Sequence, residues 1–459
     1  MTSTGANPSA RAQTAALALV LIVGFAFACG ILAGIDELAG PQYWRWPPRD
    51  LGLARTLAFL APALIPFFFA WRDIERTDAP RSVVRPLILL VVTCLAMQSL
   101  ALLCHPDGIE HLRAIVMSPR ATSYFTDAQN ISGVMAWLRG FHTYELGLHS
   151  ATHPPGPVLY YYAWQQLLPA PTAALAGGIT VGLVASLGVP VMYAFAGLWT
   201  DERRSRLLAC AMYALLPALA FFLPDLDQIY PIFAMLLALS WAKALRGSRA
   251  HALLFAATLF VSTFFAYNLL VVGAFVVLYA AYFLRLEHAS ADAWRRLIVS
   301  ALIGAAGLVI PYVVLWVAAS YDPLRSLAHA IGEQNELSLR LMRPWFSCLF
   351  TAPYDFFIGA GMVMLPLLVL SVRRLFISFD IARRDLVLSA IALATILIVD
   401  LSGLLRAENA RVWLFLQPFA IVPAALELER FGPRGRLAVF AMQWFVGAVL
   451  FCRLAFVYP

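Results

Sequence analysis

Residues 123–168 read SYFTDAQNISGVMAWLRGFHTYELGLHSATHPPGPVLYYYAWQQLL, and whether the apolar end of that stretch crosses a bilayer decides the topology of everything after it. Residues 157–168 offer only about 12 apolar positions, against the roughly 20 a helix needs to cross a ~30 Å hydrocarbon core. They read as a helix lying on the membrane surface, with Tyr160, Tyr161, Tyr162 and Trp164 at headgroup depth, where amphipathic rings are favoured. The stretch is a polar island in an otherwise apolar chain.

Of the 459 residues, 61% are hydrophobic and 13% charged, with a mean hydropathy of +0.77. Soluble domains carry about 25% charged residues, so a soluble globular protein is excluded. Apolar runs near 15–35, 54–71, 86–104, 172–199, 206–222, 228–245, 252–266, 268–285, 296–319, 355–372, 386–404, 412–428 and 437–456 predict an all-α membrane protein of about 13 transmembrane helices. Residues 1–459 read as one polytopic domain, and the first run as an uncleaved span.

The net charge of +7 is no nucleic-acid signal, because the cations fall in short loops between spans. With a cytoplasmic N-terminus, the inside segments hold Arg11, then Arg72, Arg76, Arg81 and Arg85, then Arg203, Arg204 and Arg206, then Lys243, Arg246 and Arg249. They continue with Arg285, Arg295 and Arg296, then Arg373, Arg374, Arg383 and Arg384, and last Arg430, Arg434 and Arg436. Inside cations then outnumber outside ones by about two to one, as the positive-inside rule requires. A crossing at 157–168 would invert that pattern. Two long outer loops result, 105–171 and 320–354, with shorter ones at Pro224–Asp227 and Arg406–Arg411. The six cysteines lack metal-ligand spacing, and only Cys104 and Cys348 are placed to pair outside.

The outer loops hold the residues able to do chemistry. Asp127 precedes Ile131, Val134, Met135 and Leu138, spaced as one face of a helix on the outer leaflet. It therefore reads as an N-cap, and as a general base at the membrane surface. His149 and His153 lead into a rigid Pro154-Pro155-Gly156-Pro157 corner. With His142 and Glu145 they are metal-ligand types, but their spacing fits no single helical face, so hydrogen bonding to an anionic headgroup or acceptor is preferred. Arg340, Arg343, Arg406 and Arg411 are cations where the positive-inside rule leaves few, and Arg suits bidentate phosphate binding. Glu408 is three residues from Arg411 and is spaced to pair with it. Asp225 and Asp227 are carboxylates at a membrane mouth.

An acidic residue early in the first large outer loop, followed by a His-Pro-Pro corner and an aromatic surface helix, resembles the GT-C glycosyltransferases. The pattern is nearest the bacterial branch of the lipid A aminoarabinose transferase and the protein O-mannosyltransferase-like family. The resemblance implies a bacterial inner-membrane enzyme with an extracytoplasmic site. Such an enzyme moves a sugar, with inversion, from a polyprenyl-phosphate carrier to a glycolipid, polysaccharide or protein acceptor. By that resemblance Asp127 is the catalytic carboxylate, and Tyr124 or Tyr144 helps shape the site. His153, Pro154 and Pro155 form the donor corner, and Arg340, Arg343 and Arg411 hold the carrier phosphate. His149, Asp227 and Glu408 complete the expected substrate contacts; no metal and no cofactor are assigned. Two departures stand: Ala128 follows Asp127 where the family has a second acid, and two spans precede the one that leads into the loop. Asp36-Glu37, with Pro47-Pro48, imitates the motif less completely. Two other classes compete. A polar-lipid flippase requires ionisable groups deep in the spans, where Asp400 is the chief one, and an O-antigen-type polymerase or ligase carries its main polar loop late in the chain.

Overall fold

The computed structural model describes residues 10–41, 43–76 and 82–459. Arg81, counted above among the inside cations, lies outside the described residues. The described chain is helical, with no strand among the described residues beyond an isolated bridge between Pro48 and Leu454. Ten helices are long and apolar enough to cross a bilayer, or up to eleven if one bent pair is a single span.

The expected runs that fall short do so for local reasons. The run near 355–372 becomes two helices, Trp345–Ala360 and Met364–Ser378, bent by 117° at a break. Gly361 stands there with φ +76°, which ends the first helix in a conformation that glycine adopts without strain. Arg249–Phe265 and Leu414–Leu428 are shorter apolar helices, the second carrying Pro418 and Pro423.

Arg203–Phe221 and Leu226–Leu245 form the centre, with 89% and 78% of their apolar windows buried, whereas Ala291–Ala319 is 11% buried and faces outward. Close approach in a membrane relies on small residues, because lipid tails are as apolar as leucine. Ala170–Ser186 illustrates this. Its buried Gly177 lies under Tyr161, Gly178 between Leu112 and Pro224, and Gly182 against Gln98 and Leu223. Gln98 Nε2 then donates to Ser186 Oγ at 2.9 Å and to the Gly182 carbonyl at 3.3 Å.

Ion pairs tie one end of the bundle. Arg374 reaches Asp385 and Glu427, both at 3.2 Å, and Arg436 pairs with Glu75. The other end carries the segment after Cys104, folded into five short helices: Ile109–Met117, Tyr124–Ala128, Val134–Gly140, Leu148–Ala151 and Gly156–Leu167. The last matches the expected short helix, but Tyr161 turns inward against Phe125, ring centroids 5.8 Å apart, instead of lying with its neighbours. The helix after Asp127 starts later than its spacing suggested. Gly133 is its N-cap, Trp137 and Leu138 are buried, and Met135 is exposed, because the inward face packs on Ala291–Ala319. All six cysteines are free, Cys104 and Cys348 included.

Candidate functional site

At that end Arg411 gathers three carboxylates. Its Nη2 donates to Glu408 Oε2 at 2.5 Å and its Nη1 to Asp225 Oδ2 at 3.1 Å, while Nε lies 3.8 Å from Asp227 Oδ2. Asp225 and Asp227 come from the junction between the two central spans. Arg411 and Glu408 come from the connection after Arg384–Ser402, so residues some 180 positions apart meet.

That connection is held against its own preference. Ala407 and Glu408 both have positive φ, 88° and 54°, which costs a non-glycine residue about 1–3 kcal/mol each. Three side-chain bonds over-determine it. Asn409 Oδ1 accepts from Ala407 N at 3.0 Å, and Asn409 Nδ2 donates to the Leu405 carbonyl at 3.0 Å. Asp355 Oδ2 accepts from Ala410 N at 3.1 Å, while its Oδ1 accepts from Trp46 Nε1 at 2.8 Å. Trp44, Trp46, Asp355 and Asn409 were not singled out from the sequence. Asp355 alone had a readable signal, an ionisable residue inside an apolar helix.

Arg343 sits alongside, 5% exposed. Its nearest carboxylate is Glu408, at 3.8 Å, and its guanidinium lies 5.4 Å from the Trp44 ring centroid. Nη1 donates to the Arg406 carbonyl at 3.4 Å, and Nε is buried with no hydrogen-bond partner. Burial lowers its pKa, with the Glu408 charge opposing. Arg411 is different. Burial acts to lower it too, but Glu408, Asp225 and Asp227 outweigh that and drive it up. Burial pushes Asp225 to about 6, against the pull of Arg411.

Tyr124 brings the loop to this cluster. It is buried and edge-on to His153 and His149, with ring centroids 5.6 and 6.3 Å away. Its hydroxyl is pushed well up by burial and then by the Asp227 charge, with Arg411 opposing. Both imidazoles are held neutral: burial and Arg411 depress His149, and burial takes His153 down to about 4. His153 Nδ1 meets the His149 carbonyl at 2.8 Å. Pro154 and Pro155 are buried behind it, and Gly156 packs on the Phe264 carbonyl so closely that a Cβ has no room.

Of the expected site residues, Tyr124, His149, His153, Asp227, Arg343, Glu408 and Arg411 are brought together, with Asp225 added. Arg340 is exposed at the end of Pro323–Arg340, and among the described residues it joins no ion pair. Asp127 is half-buried within Tyr124–Ala128 and does not cap the later helix; its Oδ2 accepts from Gly147 N at 3.1 Å. It lies three residues from Tyr124, hence on the same face of that single turn. Tyr144 is exposed. Compared with known proteins, the chain matches no family model and no curated sequence.

Proposed function

We propose that this chain is an inverting GT-C-type glycosyltransferase that moves a sugar from a polyprenyl-phosphate carrier to a cell-envelope acceptor. In this reading the chain crosses a bacterial inner membrane about thirteen times, the two short apolar helices and the bent pair included. Its N-terminus is cytoplasmic, and the helices 134–140 and 156–167 lie along the outer surface. The observation that carries the reading is Arg343, a buried guanidinium with an unpaired Nε and a single carboxylate neighbour, Glu408, at 3.8 Å. Burying a charge costs several kcal/mol unless a counter-charge meets it, and an anionic ligand such as the carrier phosphate supplies one. Both guanidiniums have a buried Nε without a hydrogen-bond partner, but Arg411 faces three carboxylates and Arg343 only the Glu408 that Arg411 also holds, so Arg343 has the greater capacity left for phosphate.

Transfer then needs a base and a leaving group. The acceptor hydroxyl oxygen attacks the anomeric carbon as the bond from that carbon to the phosphate oxygen breaks. The proton goes to a carboxylate, and the electron pair leaves on polyprenyl phosphate beside Arg343. Asp127 is assigned the proton, because among the described residues its Oδ1 accepts no hydrogen bond, whereas Asp225 and Glu408 are bonded to Arg411. Asp227 orients Arg411 and the donor.

The test offers polyprenyl-phosphate hexoses and pentoses, with envelope glycolipid as acceptor, to purified protein and follows release of free polyprenyl phosphate. Asp127→Asn should keep the Gly147 bond and donor binding while losing turnover, and Asp227→Asn should lose donor binding. Carrier movement across vesicles without sugar release would favour the flippase reading instead. Full turnover in Asp127→Asn would remove that residue's role.

A further inference from the structure

A second cluster stands apart from these residues, where Val84–Cys104 hands over to Ile109–Met117. The connection His105-Pro106-Asp107-Gly108 is a tight turn, with Gly108 N donating to the His105 carbonyl at 3.0 Å and Gly108 at φ +51°. Proline second, aspartate third and glycine fourth is the composition such a turn favours. The next backbone bonds, Glu110 N to Asp107 O at 3.1 Å and His111 N to Gly108 O at 3.2 Å, bring the following helix back over the turn. The His105 and His111 rings therefore stack, centroids 3.5 Å apart and 11° from parallel. Asp107 Oδ2 lies 3.6 Å from His105 Nδ1.

We propose that His105, Asp107 and His111 bind one divalent transition-metal cation, with Zn2+ the best fit, through one ring nitrogen of each histidine and one carboxylate oxygen. Among the described residues these three offer ligand atoms that all lie within 4.8 Å of one another. Tetrahedral zinc with Zn–N near 2.0–2.1 Å puts its ligand atoms roughly 3.3 Å apart; because the two rings are stacked and nearly parallel, one imidazole must turn out of the stack to bring its in-plane lone pair onto the shared ion. Two nitrogens and one oxygen suit zinc and leave a fourth position for water. A cavity of ≈ 30 Å³, lined also by Arg49, Leu223 and Val457 but not by Asp107, adjoins both imidazoles and has room for one water beside the rings.

The surroundings supply what a metal ligand needs. Val457 lines the same small cavity as His111, where an outer-shell contact to a ligating histidine belongs. Both imidazoles are half-buried. Arg49 is the unfavourable neighbour, but its Nε and Nη2 both donate to the Phe451 carbonyl, at 3.0 and 2.7 Å. Asp107 is 67% exposed, so a cation can reach the site without opening the fold. A bound ion would fix Ile109–Met117, whose Leu112 shares the surface of Gly178 with Pro224, the neighbour of Asp225.

The experiment uses the full chain in detergent, purified without a polyhistidine tag and stripped with chelator. Zinc titration calorimetry and metal analysis should give one equivalent of tightly held Zn2+. His111→Ala should weaken it by more than the roughly 10–100-fold that loss of an outer-shell partner costs. Asp107→Asn, an exposed change that leaves the fold intact, should weaken it too and decides the matter if His111→Ala does not fold. No zinc bound by the wild type, or equal binding by wild type and Asp107→Asn, overturns the proposal. Neither result depends on the transferase reading.

Discussion

Replacing Arg411 by Met is the sharpest test of how the site is held. The side chain is 12% exposed, and its removal leaves Asp225 at 3%, Asp227 at 17% and Glu408 at 19% side-chain exposure facing one another. Breaking a buried ion pair from one side costs about 3–5 kcal/mol. Proton uptake limits this. Asp225 already titrates near 6, and each unit between its pKa and the solution pH is worth about 1.4 kcal/mol, so protonating it at pH 7 is cheap. A loss near the lower bound, about 3 kcal/mol, is expected. Adding Asp225→Asn to Arg411→Met should return part of it, because an amide needs no cation. The coupling for such contacting residues is about 0.5–3 kcal/mol. Unfolding is read by reaction of a thiol probe with cysteines 94, 104, 210, 348 and 452, all free and buried in the folded protein. Arg411→Met unfolding at the wild-type midpoint, or Asp225→Asn worsening it, refutes the arrangement.

Other outcomes follow from single contacts. Arg343→Ala should raise the apparent KM for a polyprenyl-phosphate sugar by about 10–100-fold, the worth of a hydrogen bond to a charged group, measured by steady-state donor titration. His153, depressed to about 4, stabilises the fold fully above its unfolded value near 6.5 and loses that contribution as pH falls through 4. His153→Gln should therefore flatten the decline in thermal midpoint between those pH values. Asp225 works in the opposite sense: its raised value favours the protonated fold, a contribution lost as pH rises through about 6. Gly156→Ala should destabilise the chain by about 1–3 kcal/mol through overpacking on the Phe264 carbonyl, measured by the same thiol assay.

How much of this was legible depends on the range of the interaction. Span composition is local, so the apolar runs were readable from hydropathy; the bend at Gly361 was not, because it depends on a single backbone angle. Asp225, Asp227, Glu408 and Arg411 carry charge at helix ends and drew notice as residue types. That they share one guanidinium follows from helix packing across some 180 residues, which no spacing rule records. Asp127 shows the converse. A helical stripe two turns long assigned it an N-cap, but the buried Trp137 and Leu138 rotate that helix toward Ala291–Ala319 and leave Gly133 as the cap. Tyr161 shows the same limit, since headgroup affinity belongs to the residue type and inward packing to its neighbours.

The reciprocal guanidinium-to-carbonyl bonds between two arginines have a further consequence. Arg343 Nη1 donates to the Arg406 carbonyl, and Arg406 Nη1 donates back to the Arg343 carbonyl at 3.2 Å. Parting these segments would strand two charged donors at once, so they behave as one wall rather than a gate. On the transferase reading, a lipid-linked donor would reach Arg343 past Trp44, whose ring centroid lies 5.4 Å from the guanidinium, and bulk added to that indole would act as a stopper.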